Sequence, residues 1–437
     1  MALSRRHLLA LAGSGSLAAM LSGCAGRLEP AATSAAGFGE GAEGTLSVWC
    51  RSETQTGIKT MVEAFHAAQD RIRVELTPVL GGQYVTKLAT AIRGGRVPDL
   101  VDIDDINSAL FIYRDAFTDL TPLIDSIPDK ERLSPGHLAL AARDGKYYGA
   151  PFLADNSVLW CNSELFDRAG MDLDETTSSF EGYLEAARAI TALAPDTYGW
   201  TYPGNSAGAL GFVVQPHIWA AQTDLIAEDI GGQRGNVEGN GAVRSTLELL
   251  RTMWNEQLVP PASFSDDASR WGTDFLAGKV GMIPSAYGTV VLGKDPEFLK
   301  RVEVRVMAGP EGGRAFFDGG DNLCIPNGSR NPSAAWEFVR FCLDVPQQAT
   351  LPAGGFTPIR ADVVDDAFRA AYPLATGPLE QLDAGYAPLT LSYNRIYNQS
   401  DGPWLEMFRR AVFDGQTEEA MAVAQKHYDQ ILQQGDA

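Results

Sequence analysis

The order of apolar and polar residues predicts alternating strands and helices in the first third of the chain. The run 46–50 predicts a strand, the apolar residues at 58, 61, 62 and 65 predict one face of a helix, and the alternation at 72, 74 and 76 predicts a second strand. A second helix around 84–92 and a third strand over 99–103 follow. This βαβαβ order predicts an α/β fold with a mostly parallel sheet, whose ligands lie beyond the carboxyl ends of the strands.

Two later segments differ from this alternation. Residues 147–162 form an extended stretch, long enough to leave one domain and enter the next, and Asn162 is placed to cap a helix over 163–169. Residues 308–342 pass through the adjacent glycines Gly319 and Gly320, which precede Asp321. Two glycines before a buried strand allow the backbone to come close to a bound group.

Polar and aromatic side chains follow the predicted strands at one edge of the sheet. Trp49 and Arg51 end the first strand, Gln83 lies in the loop after the second, and Asp104 and Asp105 follow the third. An indole, a guanidinium, an amide and carboxylates that converge at one edge suit a polyol or a sugar, which needs a few placed polar groups and an aromatic face.

Composition and charge narrow the class of protein. At 437 residues the chain is long enough for two or three domains, and 45% hydrophobic with 21% charged residues is typical of a soluble globular protein. A formal net charge of −20 argues against nucleic acid or an anionic membrane as the principal partner. No Cys/His spacing resembles a metal site, and no cofactor is predicted.

The N-terminus predicts export and lipid attachment. Residues 1–23 have the form of a signal peptide, in which Arg5-Arg6 resembles a twin-arginine signal, so that export by that route or by the general one stays open. The sequence LSGC at 21–24 resembles the bacterial lipobox, in which Cys24 is acylated, and residues 24–44 read as a flexible tether. Membrane contact would then be through the lipid anchor only.

Four cysteines remain once Cys24 is set aside, and they allow three pairings. Each lies in an apolar run or on the apolar face of a helix, which favours buried free thiols over bridges. These residues are Cys50, Cys161, Cys324 and Cys342.

Seven short motifs in a consistent order resemble family 1 of the extracellular solute-binding proteins, the sugar-binding lipoproteins of bacterial ABC importers, which are maltose-binding-protein-like. The motifs are PDLV at 98–101, DGKYYGAP at 144–151, LWCN at 159–162, FLAGKVGM at 275–282, GPEG at 309–312, GG at 319–320 and GGFTP at 354–358. The resemblance covers roughly residues 45–434.

The resemblance implies two α/β lobes joined by hinge crossings, a periplasmic-binding-protein type 2 fold. One lobe would comprise residues 44–153 plus 317–362, and the other residues 154–316 plus 363–437. It further implies a monomeric, non-catalytic receptor that closes on a sugar or oligosaccharide and delivers it to the permease subunits of an importer.

The expected ligand-binding residues come from both lobes and from the crossings. Core packing is the alternative for each aromatic, helix capping is the alternative for the aspartates, and a hinge role competes for Asn156. The set is Trp49, Arg51, Gln83, Asp104, Asp105, Asn156, Trp219, Trp271, Tyr287, Gly319, Gly320, Asp321 and Phe356.

Three other functions stay open. Acidic cleft residues would also serve a polyamine or another cationic solute, and a sensor subunit could present a bound solute to a membrane kinase. Abundant carboxylates are compatible with a tethered glycoside hydrolase. The G-x-S-x-G pattern at 204–208 follows an aromatic stretch that ends in Pro203, so we interpret it as chance and not as a nucleophile elbow.

Overall fold

A computed structural model describes residues 28–435. Within this part of the chain, nine strands have three or more residues. They are β1 (Gly44–Arg51), β2 (Ile72–Val79), β3 (Leu100–Asp104), β4 (Ala150–Asn162), β5 (Tyr198–Trp200), β6 (Val280–Ala286), β7 (Val302–Arg305), β8 (Met307–Gly309) and β9 (Gly312–Cys324).

The described helices of six or more residues lie against both ends of this sheet. They are α1 (Gln55–Ala68), α2 (Gly81–Arg93), α3 (Asp105–Ile112), α4 (Pro135–Leu140), α5 (Ser163–Ala169), α6 (Phe180–Thr191), α7 (Ala207–Trp219), α8 (Gly241–Asn255), α9 (Pro332–Leu343), α10 (Asp366–Ala371), α11 (Pro373–Leu379), α12 (Pro403–Val412) and α13 (Thr417–Gly435).

One continuous sheet runs through the molecule in the order β2-β1-β3-β9-β4-β6-β5. The parallel pairing predicted for the first three strands is confirmed, because β1 pairs in parallel with both β2 and β3. The middle of the sheet is antiparallel, since β9 runs opposite to β3 and β4, and β6 runs opposite to β4. This difference arises because β9 brings the chain back across the sheet in the direction opposite to β4.

Two main hydrophobic cores lie at the two ends of the sheet. Alternate residues of β1 (Leu46, Val48 and Cys50) are buried in the first core together with α1 and α9. The second core collects β6 and the helices α6, α7, α8, α12 and α13 around large buried aromatics such as Trp160 and Trp404. The sequence pattern produces both, because β1 alternates with period two and the helices carry apolar stripes.

Three chain segments cross between the two cores side by side. Ala154 of β4 pairs with Gly320 of β9 on one side. On its other side Ala154 pairs with Thr357, and each residue donates its backbone N–H to the carbonyl of the other at 2.8 Å. The crossing is therefore a narrow ladder of three strands.

The predicted cap at Asn162 is confirmed. Its side-chain oxygen accepts a hydrogen bond from the Leu165 N–H at 3.3 Å, and α5 occupies residues 163–169 as the sequence predicts. The four cysteines Cys50, Cys161, Cys324 and Cys342 are buried and free.

Part of the predicted flexible tether lies on the body of the protein. Thr33 donates its hydroxyl to the Asp119 carbonyl at 2.6 Å, and Phe38 and Ala42 pack against the first core. The expectation of a free tether over 24–44 is therefore corrected from residue 28 onward, because a threonine and small apolar residues find partners there. The predicted signal peptide, 1–23, and Cys24 lie outside the described residues. No helix between residues 28 and 435 is long and apolar enough to cross a membrane.

Candidate ligand-binding cleft

The candidate site lies where the carboxyl ends of β1 and β3 meet the three crossing segments. Arg51, the last residue of β1, donates Nε–H to Asp321 Oδ2 at 2.8 Å and a second hydrogen bond from Nη2 to Oδ1 of the same carboxylate. Its Nη1 lies 3.3 Å from Asp104 Oδ2. The Asp321 side chain is fully buried, whereas 18% of the Arg51 side chain and 25% of the Asp104 side chain are exposed, so this ion-pair network lies at the floor of an opening.

The same network fixes α3. Asp104 accepts a hydrogen bond from the Asn107 N–H at 3.3 Å and thereby caps the helix that begins at Asp105. The carboxylate of Asp104 therefore both caps α3 and contacts Arg51.

Carboxylates outnumber cations around Arg51. Burial raises the pKa of Asp104, and the nearby positive charge of Arg51 opposes this rise. Burial and the negative charge of Asp321 raise the pKa of Asp102 well above its ordinary value. Asp102 Oδ2 accepts a hydrogen bond from the hydroxyl of Thr54 at 2.6 Å. Burial raises the pKa of Asp155 to about 6, and Arg51 opposes the rise. The site is therefore acidic, and its one guanidinium is already held by two carboxylates.

A cavity of about 480 Å³ opens at this point and has walls from both ends of the sheet. On the first side it is lined by Glu53, by the backbone at the start of α2 and by Asn107; on the other side it is lined by Asn394 and Asn398. Asn394 donates its side-chain N–H to Asn107 Oδ1 at 2.9 Å, across the opening. Amides, carboxylates and a guanidinium in one cavity are the donors and acceptors that a polyhydroxylated ligand requires.

A charged cluster lies behind the crossing strand, away from the cavity. His137 of α4 places Nδ1 3.1 Å from Asp318 Oδ2 and Nε2 3.6 Å from Asp105 Oδ2, and Nε2 also lies 3.2 Å from the Gly319 carbonyl. Burial lowers the pKa of His137, but Asp318 and Asp105 outweigh it and raise the pKa to about 9. The imidazolium thus ties α4 to the crossing strand. All three side chains are fully buried, so this cluster has no access to a ligand.

The structure brings together some of the predicted site residues. Arg51, Asp104 and Asp321 are in contact, and Gly319 and Gly320 lie in the crossing beside them. The structure gives a reason for glycine at position 320 that differs from the expected one. A Cβ added there would lie 2.1 Å from the Leu153 carbonyl oxygen and 2.7 Å from His137 Nε2, so the missing side chain lets the neighbouring strand and His137 approach.

Other predicted residues lie away from this cavity. Trp49 and Gln83 border a shallow hollow on the outside of α2, where Lys87 lies 4.5 Å from the Trp49 ring. Trp219 is 4% exposed and lies 5.4 Å from the Phe317 ring. Asp105 faces His137 behind the crossing strand.

The remaining predicted residues are buried near the second core or the crossings. Tyr287 packs on Trp160 with 6.1 Å between ring centres and borders a groove of about 620 Å³. Trp271 is 8% exposed, and its indole N–H has no acceptor among the described residues. Phe356 covers Gly57 at the start of α1. Asn156 is 1% exposed, and no described residue forms a hydrogen bond with its side-chain amide.

Sequence reasoning missed Asp155, which lies near Arg51, and three asparagines that line the cavity. Asp155 lies next to Asn156 in β4, and successive residues of a strand point to opposite faces, so choosing Asn156 alone left out the face that carries Asp155 near Arg51. Asn107 was recoverable as the residue three after the capping Asp104. Asn394 and Asn398 lie four residues apart on one helical turn, a spacing that places two amides side by side.

Known binding proteins are similar to this chain in sequence. The chain resembles a putative binding protein of Brucella abortus (24% identity over 339 residues, 76% of this chain and 80% of that one). It also resembles the diacetylchitobiose-binding protein of Streptomyces coelicolor (24% over 351 residues, 78% of each chain).

Solved structures share the fold. The sugar-binding protein MalE of Xanthomonas citri superposes with a TM-score of 0.77 at 22% identity, covering 90% of this chain and 98% of that one. The GacH receptor of Streptomyces glaucescens superposes with a TM-score of 0.73 at 20% identity, covering 90% and 99%. The family model for bacterial extracellular solute-binding proteins matches residues 51–349. The chain has a two-lobed α/β fold whose cleft holds the polar network of Arg51, and the family model matches more than half of its sequence. The chain therefore belongs to the bacterial extracellular solute-binding protein family.

Proposed function

We propose that this chain is the extracytoplasmic subunit of an ABC importer that captures a sugar or oligosaccharide and delivers it to the permease. The observation that carries the proposal is the cavity of about 480 Å³ that is lined from both ends of the sheet and by Arg51, which in turn binds Asp321 of the return crossing. Relatives and structural neighbours named for arabinooligosaccharide, diacetylchitobiose and maltose binding support a saccharide as the ligand.

The two cores support a division of the chain into two lobes. We assign residues 44–153 plus 317–362 to one lobe and residues 154–316 plus 363–437 to the other. The first core is built from the first set, and most of the second core is built from the second set. Ile106 of α3 packs into the second core, which marks where the lobes touch.

Hinge closure is the proposed mechanism. The three crossing segments are the only described connections that run between the two assigned sets, so bending them moves one lobe against the other. The Asn107–Asn394 hydrogen bond joins the two assigned sets across the cavity and would break if they moved apart. A ligand that bridges Arg51 and Asp104 on one side with Asn394 and Asn398 on the other adds further contacts to the closed form and shifts the population toward it.

The polar residues of the cavity favour an uncharged saccharide over an anionic one. The guanidinium of Arg51 is engaged by Asp321 and Asp104, so no free cation remains there to neutralise a carboxylate or phosphate on a ligand. The amides of Asn107, Asn394 and Asn398 both donate and accept, as sugar hydroxyls do.

A cationic solute such as a polyamine is the second candidate. It is favoured by the surplus of carboxylates, above all by Asp155, which has no ion-pair or hydrogen-bond partner among the described residues. An ammonium group beside Asp155 would lower the pKa of that carboxyl, so binding of a polyamine would release a proton from the protein below about pH 6.

We further propose that the protein is exported, anchored through an acylated Cys24, and free of catalytic activity. Mass spectrometry of the mature protein from its host tests the anchor, because a diacylglyceryl group on Cys24 adds a defined mass. Incubation with labelled oligosaccharides tests for catalysis, and unchanged oligosaccharides are the expected result.

The ligand is tested by a thermal-shift screen of the purified protein, followed by calorimetry. The panel contains arabino-, malto- and chito-oligosaccharides, monosaccharides, polyols, a uronic acid and spermidine. A specific ligand raises the melting temperature by an amount that grows with the logarithm of the ratio of its concentration to its dissociation constant. We expect a neutral saccharide to do so with one-to-one stoichiometry. A response to spermidine alone would support the second candidate, and no response to any sugar would overturn the proposal.

A further inference from the structure

The edge of the first lobe that lies opposite the cleft carries an unbalanced positive charge. We call this edge the distal edge and define it by the N-terminal ends of β1 and β3, since the carboxyl ends of these strands carry Arg51 and Asp104. A strand of eight residues spans about 26 Å, so the distal edge and the cleft are well separated.

Four exposed arginines lie at the distal edge. Arg93 ends α2, Arg96 lies in the turn before β3, Arg114 follows α3, and Arg330 precedes α9. All four are exposed, and none of them takes part in an ion pair among residues 28–435. Four unpaired guanidinium groups at one edge stand out in a chain whose formal net charge is −20.

The acidic groups at this edge compensate only part of the positive charge. Asp99 is 3% exposed, and its carboxylate accepts hydrogen bonds from Ser47 and from the backbone N–H of Arg330. Asp115 is paired with Arg143 at 2.6 Å. The N-terminal segment brings two exposed carboxylates to this edge, Glu29 and Glu43, the second directly before β1, so that four arginines face two of them.

The N-terminal segment reaches the body at the distal edge. The Gly328 N–H donates to the Glu29 carbonyl at 2.8 Å, and a Cβ added at Gly328 would lie 2.7 Å from Leu28 Cδ2. Leu28 also lies near Gly95, within the turn that carries Arg96. Leu28 follows Cys24 by four residues, and four extended residues reach at most about 14 Å.

We propose that the distal edge is a docking surface for the anionic headgroups of the membrane to which the chain is anchored. The inference rests on the proposed acylation of Cys24. An anchor within about 14 Å of Leu28 holds the four arginines close to the bilayer, where the Debye length of about 8 Å at physiological salt leaves their attraction to anionic headgroups effective. The anionic headgroups repel the acidic remainder of the protein surface. The distal edge therefore faces the membrane, and the cleft faces away from it.

Delivery to a permease then requires the cleft to turn toward the membrane. The segment 29–43 provides the reach for this rotation if it leaves the body, which requires the loss of hydrogen bonds such as those of Ala31 with Thr118 and Thr33 with Asp119 and of the packing of Phe38 and Ala42 on the first core.

The experiment measures orientation on vesicles by energy transfer to headgroup-labelled lipid. The lipidated mature protein carries one dye, either at Thr90→Cys, one turn before Arg93, or at Ser400→Cys, beside the cleft residue Asn398; the four described native cysteines are buried and stay unlabelled. We expect transfer on phosphatidylglycerol vesicles to be much higher from position 90 than from position 400. The difference should disappear on phosphatidylcholine vesicles and at about 1 M salt, where the Debye length is about 3 Å.

A charge-matched pair of variants makes the test specific. Arg93→Ser/Arg96→Ser/Arg330→Ser should abolish the difference, whereas Arg168→Ser/Lys279→Ser/Lys426→Ser, which removes three exposed cations of the other lobe, should retain it. Equal transfer from both positions in the unsubstituted protein, or an unchanged difference in the first triple variant, would overturn the proposal.

The outcome is separable from that of the proposed function. Mass spectrometry establishes acylation independently, and sugar affinity is measured in solution on the same proteins. If Cys24 proves to be unmodified, sedimentation of the mature protein with the two kinds of vesicle replaces the orientation assay. Binding to phosphatidylglycerol vesicles that the first triple variant loses would support the docking surface, and absence of binding would overturn it.

Discussion

The guanidinium of Arg51 forms a bidentate hydrogen-bonded ion pair with Asp321, a residue 270 positions further along the chain. One partner ends the first strand of the sheet and the other lies in the return crossing. This single contact therefore joins the ligand-facing end of the first lobe to the hinge. The predictions below test this contact, the hinge and the closure of the cleft.

Removal of Arg51 should destabilise the protein strongly. Arg51→Ala leaves the fully buried Asp321 carboxylate without its guanidinium, and loss of one partner of a buried pair costs about 3–5 kcal/mol. Arg188→Ala is the matched control, since Arg188 forms a bidentate pair with Glu256 on the exposed surface and should change the free energy of unfolding by less than about 1 kcal/mol. Urea unfolding measures both. Equal losses of unfolding free energy in the two variants would show that the buried ion pair contributes no more to stability than the exposed one.

Gly320→Ala should disturb the crossing. The new methyl group would lie 2.1 Å from the Leu153 carbonyl oxygen, so the two crossing strands must move apart, at a cost of about 1–3 kcal/mol. Gly241→Ala is the control, because no atom lies within 4 Å of the added methyl group at the start of α8 and alanine favours a helix. We expect a lower melting temperature for the first variant only. A neutral Gly320→Ala would contradict the close approach.

Stability should fall in mild alkali because of His137. Its pKa is about 9 in the folded protein and about 6.5 in the unfolded chain, so the contribution is complete below about pH 6.5 and is lost as the pH rises through about 9. The contribution amounts to about 3 kcal/mol. The difference in unfolding free energy between the parent and His137→Gln should therefore shrink between pH 7 and pH 10. A constant difference would show that His137 is neutral in the folded protein.

Asn394→Ala should weaken ligand binding without changing stability much. The side chain donates to Asn107 across the cleft and lines the cavity, so its loss removes a contact of the closed form. We expect a several-fold rise in the dissociation constant, which corresponds to about 1 kcal/mol. Asn255→Ala, at the exposed end of α8, is the control for calorimetry. Unchanged affinity for Asn394→Ala would place the ligand elsewhere.

The elements of the fold could be predicted because each is encoded locally. The alternation in β1, the stripe on α1 and the cap at Asn162 depend on residues that are close in sequence. The antiparallel pairing of β9 with β3 and β4 could not be derived in this way, because it depends on the direction in which the chain returns after more than a hundred residues.

The candidate site was predictable in part for the same reason. Arg51 and Asp104 end strands that the pattern of apolar residues predicts. Their convergence at one edge of the sheet could therefore be foreseen. The aromatic residues were harder to place, since Trp49 and Trp219 carry the same chemistry whether they face a cleft or a core, and only tertiary packing decides. Asn394 and Asn398 lie in a segment without strong periodicity, and only the folded chain brings them to the cavity.

Closure of the cleft on a sugar is tested most directly by the distance between the two lobes. Dyes or spin labels at Leu80→Cys and Ser400→Cys report this distance, because both positions are exposed, one on each lobe, and the described native cysteines are buried. The sugar identified by the thermal-shift screen should shorten the distance in a saturable way, with a midpoint equal to its dissociation constant, and Arg51→Ala should shift that midpoint to higher concentration. A bound sugar that leaves the distance unchanged would contradict the account.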